Sequence, residues 1–162
     1  MGFKLTYFMR NMDTIYTDEK DERFLELVGE LDRGYYERMG DELSKYDSYN
    51  EFKDPHVVIL AVDNDNVVAC ASYRAFGNDS VEFKRVYVKS EYRKRGIAYN
   101  LIKELEKSAV KSGFKYSYIV TGKNNQPAIR LYEKLNYYLI DNFGQFKDDD
   151  VVVCMKKEFK LE

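Results

Sequence analysis

Two periodicities divide the chain. Between residues 18 and 51 apolar side chains recur at spacings of three and four. Phe24, Leu25, Leu27, Val28 and Leu31 form one stripe and Tyr35, Tyr36, Met39 and Leu43 a second, which predicts two short helices parted near Gly34. After Pro55 the period drops to two and β-branched residues take over. Residues 56–62 and 67–76 read as strands joined by the turn-prone run 63–66, and residues 81–88 as another strand after a turn at 77–80. Alternation in that strand breaks between Phe83 and Val86, the mark of a bulge. Period 3.6 returns with Ile97, Ala98, Leu101, Ile102, Leu105 and Ala109 in a helix that stops at Gly113. Residues 114–122 form the next strand, so residues 81–122 run strand, helix, strand, the order of a right-handed crossover between parallel strands.

The ends of the chain complete the pattern. Residues 4–10 alternate well enough for a first strand, with turn and capping residues at 14–18. Pro127 marks the first turn of a last helix carrying Ala128, Leu131, Tyr132 and Leu135 on one face, and Asn136 suits its left-handed cap. Residues 137–140 and 151–157 read as closing strands around the loop 141–150.

Composition narrows the function classes. A chain of 162 residues supports one domain, 1–162, with a substantial core. Twenty-six basic against twenty-eight acidic residues give a net charge of -2, which supplies no field for nucleic acid. The acidic segment 18–51 reads as a wet helix face in preference to a cation-attracting rim. Cys70 and Cys154 lie in apolar strand-like runs without metal-site spacing, so reduced core thiols and no metal are expected. No apolar run is long enough to span a bilayer and the first residues lack a secretory pattern, which predicts a cytoplasmic protein with no membrane partner.

The chemistry concentrates in YRKRGIAYNL, residues 92–101, where three cations and a glycine precede an amphipathic helix. Amides at a helix start have no intrahelical partner and the helix dipole adds positive charge, so Gly96 and its neighbours can receive a diphosphate, aided by Arg93, Lys94 and Arg95. Alone, the run reads equally as a solvated basic cap.

With a second block, NNQPAIRLYEKLNY at residues 124–137, the stretch 81–156 resembles the GNAT superfamily of acyl-CoA-dependent N-acetyltransferases. The signature of Arg or Gln, two residues, Gly, one residue, Gly or Ala is met by Arg93, Gly96 and Ala98. Asn136 stands where glycine is usual, a departure that costs little because asparagine also adopts the left-handed conformation. The resemblance implies an α/β (α+β) fold: a mixed, mostly antiparallel central sheet flanked by helices, with two central parallel strands splayed apart. It implies acetyl-CoA as cosubstrate, its pantetheine arm along Val86, Tyr87 and Val88 and its diphosphate on the amides of Arg93, Lys94, Arg95, Gly96, Ile97 and Ala98. Asn125 is assigned to the cofactor arm, and Arg130 or Lys134 to the terminal phosphate.

The reaction implied is attack of a primary amine on a thioester in a ternary complex. A lysine-like amine, pKa near 10.4, requires about 4 kcal/mol to deprotonate at neutral pH, so a base is wanted. Glu82 is the candidate, directly or through a water; the competing reading pairs it with Lys84 or Arg85. Tyr132 is the residue the resemblance makes proton donor to the leaving thiolate; outside that context a tyrosine on an apolar stripe is core filler. His56 reads as structural, and Tyr73 and Arg74 either contact an acidic part of a substrate or are satisfied edge residues. A small-molecule amine is the expected acceptor, with a homodimer left open. The rivals are acetylation of protein or peptide amines and a non-catalytic acyl-CoA-binding sensor.

Overall fold

A computed structural model describes residues 12–160. Seven strands form one sheet: β1 (Met12–Asp18), β2 (His56–Asp63), β3 (Asn66–Ala75), β4 (Ser80–Val88), β5 (Tyr116–Gly122), β6 (Tyr138–Ile140) and β7 (Val152–Glu158), in the order β1-β2-β3-β4-β5-β7-β6. Every pairing is antiparallel except β4 with β5. The helices are α1 (Glu22–Met39), the one-turn α2 (Asp47–Asn50), α3 (Ile97–Lys111) and α4 (Gln126–Lys134).

Two expectations need correcting and a third falls outside view. The strand expected at 4–10 lies outside the described residues. The turn expected at 14–18 is instead part of β1, which pairs with β2 from Met12↔Asp63 to Asp18↔Val57; an edge strand exposes most of its side chains, so threonine and aspartate fit it. The division at Gly34 does not occur: α1 runs through it for 18 residues and ends at Gly40, whose φ of 61° and ψ of -140° form a positive-φ stop open to glycine. A lone glycine costs a helix interior only about 1 kcal/mol, and the apolar face of α1 outweighs it by burying Phe24, Leu27 and Val28. A 3₁₀ stretch, Gly40–Tyr46, then leads into α2.

The bulge in β4 decides which residues face where. Ser72 pairs with Lys84 but Cys70 pairs with Tyr87, so the register slips by one, and Arg85 takes up the extra residue at φ 58°. Val81 and Phe83 before the bulge therefore share a face with Val86 and Val88 after it. That face packs against α3 and α4, where Ile97, Leu101, Ile102, Leu105 and Ala109 of α3 are all buried. The opposite face is covered by α1, the 3₁₀ stretch and the 141–150 loop, over two smaller apolar clusters around Phe24 and Phe146.

Candidate active site

Parallel pairing of β4 with β5 begins at Ser80↔Tyr116 and stops at Phe83↔Ile119. Beyond it the two strands diverge, and β4 from Lys84 to Val88 has no strand partner on that side among the described residues. The bulge is held at several points. Ser72 Oγ donates to the Lys84 carbonyl at 2.8 Å and Cys70 Sγ to the Arg85 carbonyl at 3.3 Å. Arg85 spans to α1 through Asp32 at 2.5 Å and to the Asn50 carbonyl at 3.3 Å. Such contacts offset the roughly 1 kcal/mol or more that a non-glycine residue loses in the left-handed region.

A cleft of about 110 Å³ opens where the strands part. Phe83, Lys84, Arg85 and Val86 form one wall and Ile119, Val120 and Thr121 the other. It is reached from both sides of the sheet: Asn125, Ala128 and Tyr132 close it on the α4 side, and Leu31, Tyr35, Tyr49 and Asn50 on the α1 side. Tyr132 is 6 % exposed and sits edge-on to Tyr137, ring centroids 6.1 Å apart. Burial drives its pKa above the ordinary tyrosine value, so the hydroxyl keeps its proton. Beneath it Tyr137 donates to Glu106 at 3.1 Å and meets Ser117 at 2.9 Å, while Glu106 pairs with Lys157 at 2.9 Å.

Glu82 lies beside the cleft, not on its wall. It is 1 % exposed, and both carboxylate oxygens are engaged: Arg74 Nε donates to one at 2.9 Å and the Tyr49 hydroxyl to the other at 2.6 Å. Its cationic partner is thus Arg74, on the neighbouring strand at the register position Arg74↔Glu82, and neither Lys84 nor Arg85. Tyr49 touches both the cleft and Glu82; burial first, then the Glu82 charge, lifts its pKa well above the usual range. Sequence reasoning missed Tyr49, because nothing in its local run DSYNEF links it to a strand 33 residues later.

The remaining candidates separate. Lys84 is buried with its ammonium 3.6 Å from the Tyr49 ring centroid and hydrogen-bonded to the Tyr49 carbonyl; desolvation lowers its pKa to about 8. Tyr73 belongs to the α3 side, bonded to Ser108 at 2.9 Å and packed on Phe83, and Arg74 is tied to Glu82 and Asp54. His56 is buried against Phe52, its two ring nitrogens without partners among the described residues, and burial lowers its pKa to about 4. Cys70 and Cys154 are free and buried, the former with a pKa raised to about 12 by desolvation, so neither is an available nucleophile.

The unpaired edge of β4 leads from the cleft to the start of α3. There Lys94 and Gly96 take φ values of 63° and 76°, which turn the chain so that the first amides of α3 point away from the helix. Arg93, Lys94 and Arg95 are exposed around them, and no acidic residue occupies the first turn. Arg93 Nε is held by the Val88 carbonyl at 2.9 Å, its guanidinium over the Tyr87 ring, and Tyr92 anchors the loop to Asp63 at 2.9 Å. Ile97 points into the core, so its amide alone is on offer. Asn125 caps α4, its Oδ1 accepting from the Ala128 amide at 3.3 Å, which leaves its Nδ2 as the group for the cleft. Arg130 and Lys134 are exposed on α4.

Comparison with known proteins places this fold. The acetyltransferase (GNAT) family model matches residues 13–137. The chain belongs to the GNAT acetyltransferase family. Solved structures agree on the fold of this GNAT chain. An assigned acyl-CoA N-acyltransferase from Klebsiella pneumoniae is 23 % identical, with a TM-score of 0.72 and coverage of 90 % of this chain and 97 % of that one. The PaiA N-acetyltransferase of Thermoplasma acidophilum, solved with coenzyme A, is 17 % identical at a TM-score of 0.68, covering 90 % and 99 %. A GNAT acetyltransferase from Elizabethkingia anophelis with acetyl-CoA bound is also 17 % identical, at 0.67, covering 92 % and 99 %. Among the described residues no helix is long and apolar enough to cross a membrane, and no cluster of three His, Cys, Asp or Glu could hold a metal ion.

Proposed function

We propose that residues 1–162 act as a single cytoplasmic N-acetyltransferase domain that moves the acetyl group of acetyl-CoA to the primary amine of a small molecule, by direct attack in a ternary complex. The observation that carries this reading is the continuous track from the cleft at Phe83, along the unpaired edge of β4, to the exposed amides at Gly96. Acetyl-CoA supplies a thioester at one end and a diphosphate at the other. Backbone groups of Val86, Tyr87 and Val88 hold the arm as an added strand would, and residues 93–98 hold the phosphates through amides and charge.

Glu82 is the proton sink. The Tyr49 hydroxyl, already 2.6 Å from it, passes the acceptor's proton on: its oxygen accepts from the ammonium as its own proton moves to the carboxylate. Tyr132 donates a hydrogen bond to the departing sulfur; a phenol near pKa 10 is a weaker acid than a thiol near 8.5, so the proton follows as product forms. The aromatic closure of the acceptor side favours a small acceptor over a peptide. Tyr46 is bonded to Asp149 at 2.7 Å and Tyr49 packs edge-on to Phe146 at 4.8 Å, so the loop 141–150 and the 3₁₀ stretch brace each other.

The test is Tyr132→Phe, assayed by CoA thiol release over a panel of amines. The expected result is a fall in kcat of at least about tenfold with acetyl-CoA affinity by calorimetry kept within twofold. Turnover equal to the parent at every pH would remove Tyr132 from the mechanism, and absence of acetyl-CoA binding by the parent would remove the reading altogether.

A further inference from the structure

Six charged side chains gather on the α1 side of the cleft, and they are not equally matched. Arg74 holds Glu82 on one side and Asp54 on the other, and Arg85 holds Asp32. Asp54 and Asp32 are 58 % and 44 % exposed, so water screens much of their charge. Lys84 is different. Only 6 % exposed, it has no carboxylate within 4.0 Å among the described residues; its partners are one peptide carbonyl and the face of one ring. An ammonium has three protons to donate, and a buried one without a counterion is costly to keep. Beside it, the Nε of Arg85 is buried and has no hydrogen-bond acceptor among the described residues. Both residues line the cleft.

Resting on the acetyl-transfer reading above, we propose that Lys84 and Arg85 form an anion subsite at the acceptor end of the cleft, and that the acceptor is an amine bearing a carboxylate, of the amino-acid class. A carboxylate offers two oxygens to two neighbouring donors and supplies the direct ion pair that Lys84 lacks among the described residues, where Glu82 and Asp54 act on it only at longer range. The cosubstrate does not fill this role. Its anionic groups belong at the start of α3, and Val88, where the track leaves β4, is already four strand residues from Lys84, on the order of 13 Å. The small volume keeps the amine and the carboxylate of one acceptor close together, and Leu31, Tyr35 and Tyr49 give an apolar side chain a wall to pack on. Polyamines and aminoglycosides, which bring several positive charges, are disfavoured because Lys84 repels them at close range. The lowered pKa of Lys84 agrees with a cation whose partner arrives with the substrate.

The test compares each proteinogenic amino acid with its primary amide, and both with spermidine, as acceptors for wild type, Lys84→Met and Lys84→Arg. In wild type at least one acid should exceed its amide by about tenfold or more in kcat/KM, the weight of a charge-assisted hydrogen bond. Lys84→Met should bring that ratio below about twofold, mainly through KM, and Lys84→Arg should restore part of it. Amides used as well as acids, spermidine as the best acceptor, or a preference that survives Lys84→Met would each overturn the subsite. If acetyl-CoA binds but no amine is acetylated, the acetyl-transfer reading fails separately. The subsite is then judged by calorimetric titration with N-acetyl-L-phenylalanine and its amide in the presence of CoA. Acid binding that is lost in Lys84→Met upholds it, and equal or absent binding of the two overturns it.

Discussion

The two faces of the sheet are built on different terms. The α3 side is an apolar core in which Leu101, Ile102 and Leu105 are at most 1 % exposed, and its buried polar links, Glu106 with Tyr137, Ser117 and Lys157, and Tyr73 with Ser108, are satisfied. The α1 side buries Glu82, Lys84 and His56, and leaves polar atoms of His56 and Arg85 without partners among the described residues. One face maximises packing; the other keeps charged groups at hydrogen-bonding distance where an apolar filling would be more stable. Buried groups that cost stability without repaying it in the free protein are expected where a ligand completes them.

That contrast can be broken most forcefully from the packed side. Leu105→Ala should lower unfolding free energy by about 2–5 kcal/mol, the range for a fully buried leucine, while leaving KM for acetyl-CoA near the parent value at permissive temperature; denaturant titration and steady-state kinetics check both halves. On the charged side the effect should invert. Glu82→Gln keeps the shape and an acceptor for Tyr49, so it should cost activity, on the order of 100-fold at neutral pH, more than stability, with partial recovery as rising pH deprotonates the acceptor unaided. Tyr49→Phe should move activity in the same direction. A loss under threefold in both would take the proton path away from this pair.

His56 sharpens the comparison through pH. Its folded pKa of about 4 lies below the unfolded value of 6.5, so below pH 6.5 the unfolded chain binds a proton that the folded chain refuses. Stability contributed by neutral His56 is whole above pH 6.5 and is lost as pH falls toward 4, by at most about 3 kcal/mol at 1.36 kcal/mol per pKa unit. His56→Leu should flatten that part of the stability profile, measured by urea titration at each pH; an unchanged slope would assign the acid sensitivity elsewhere. The smallest effect is expected at Cys70. With a pKa raised to about 12 and no exposure, its thiol should resist iodoacetamide in the folded protein at pH 8 and react only after unfolding, as mass spectrometry would record.

Much of the packed side was legible in the chain. The 3.6-residue spacing of Ile97, Leu101, Ile102 and Leu105, the hairpin through residues 63–66 and the broken alternation at Phe83–Val86 all report local geometry, and the structure realises each. The two motif blocks likewise fall at the start of α3 and along the cleft, because Gly96 suits a left-handed backbone position and Pro127 suits a helix's first turn. The helix division at Gly34 was misread because a local propensity of about 1 kcal/mol was set against packing that only the folded chain supplies. Lys84 was visible only as a charge next to Glu82. That it makes no close ion pair among the described residues goes with the pairing of Glu82 to Arg74, across a strand pair that local sequence does not encode.

Sequence alone therefore determined most of the alternation of elements and the family, and it marked the stretch proposed to receive a phosphorylated cosubstrate, since each is written in short-range spacing and in residues with special backbone preferences. Only the tertiary structure decided that Tyr49 stands between Glu82 and the cleft, that Tyr132 reaches the same cleft from the other side of the sheet, and that Lys84 is buried without a close ion pair among the described residues. Those facts come from contacts between residues 33 or more positions apart, such as Tyr49 with Glu82 and Lys84 with Tyr49, which strand register and helix docking fix together.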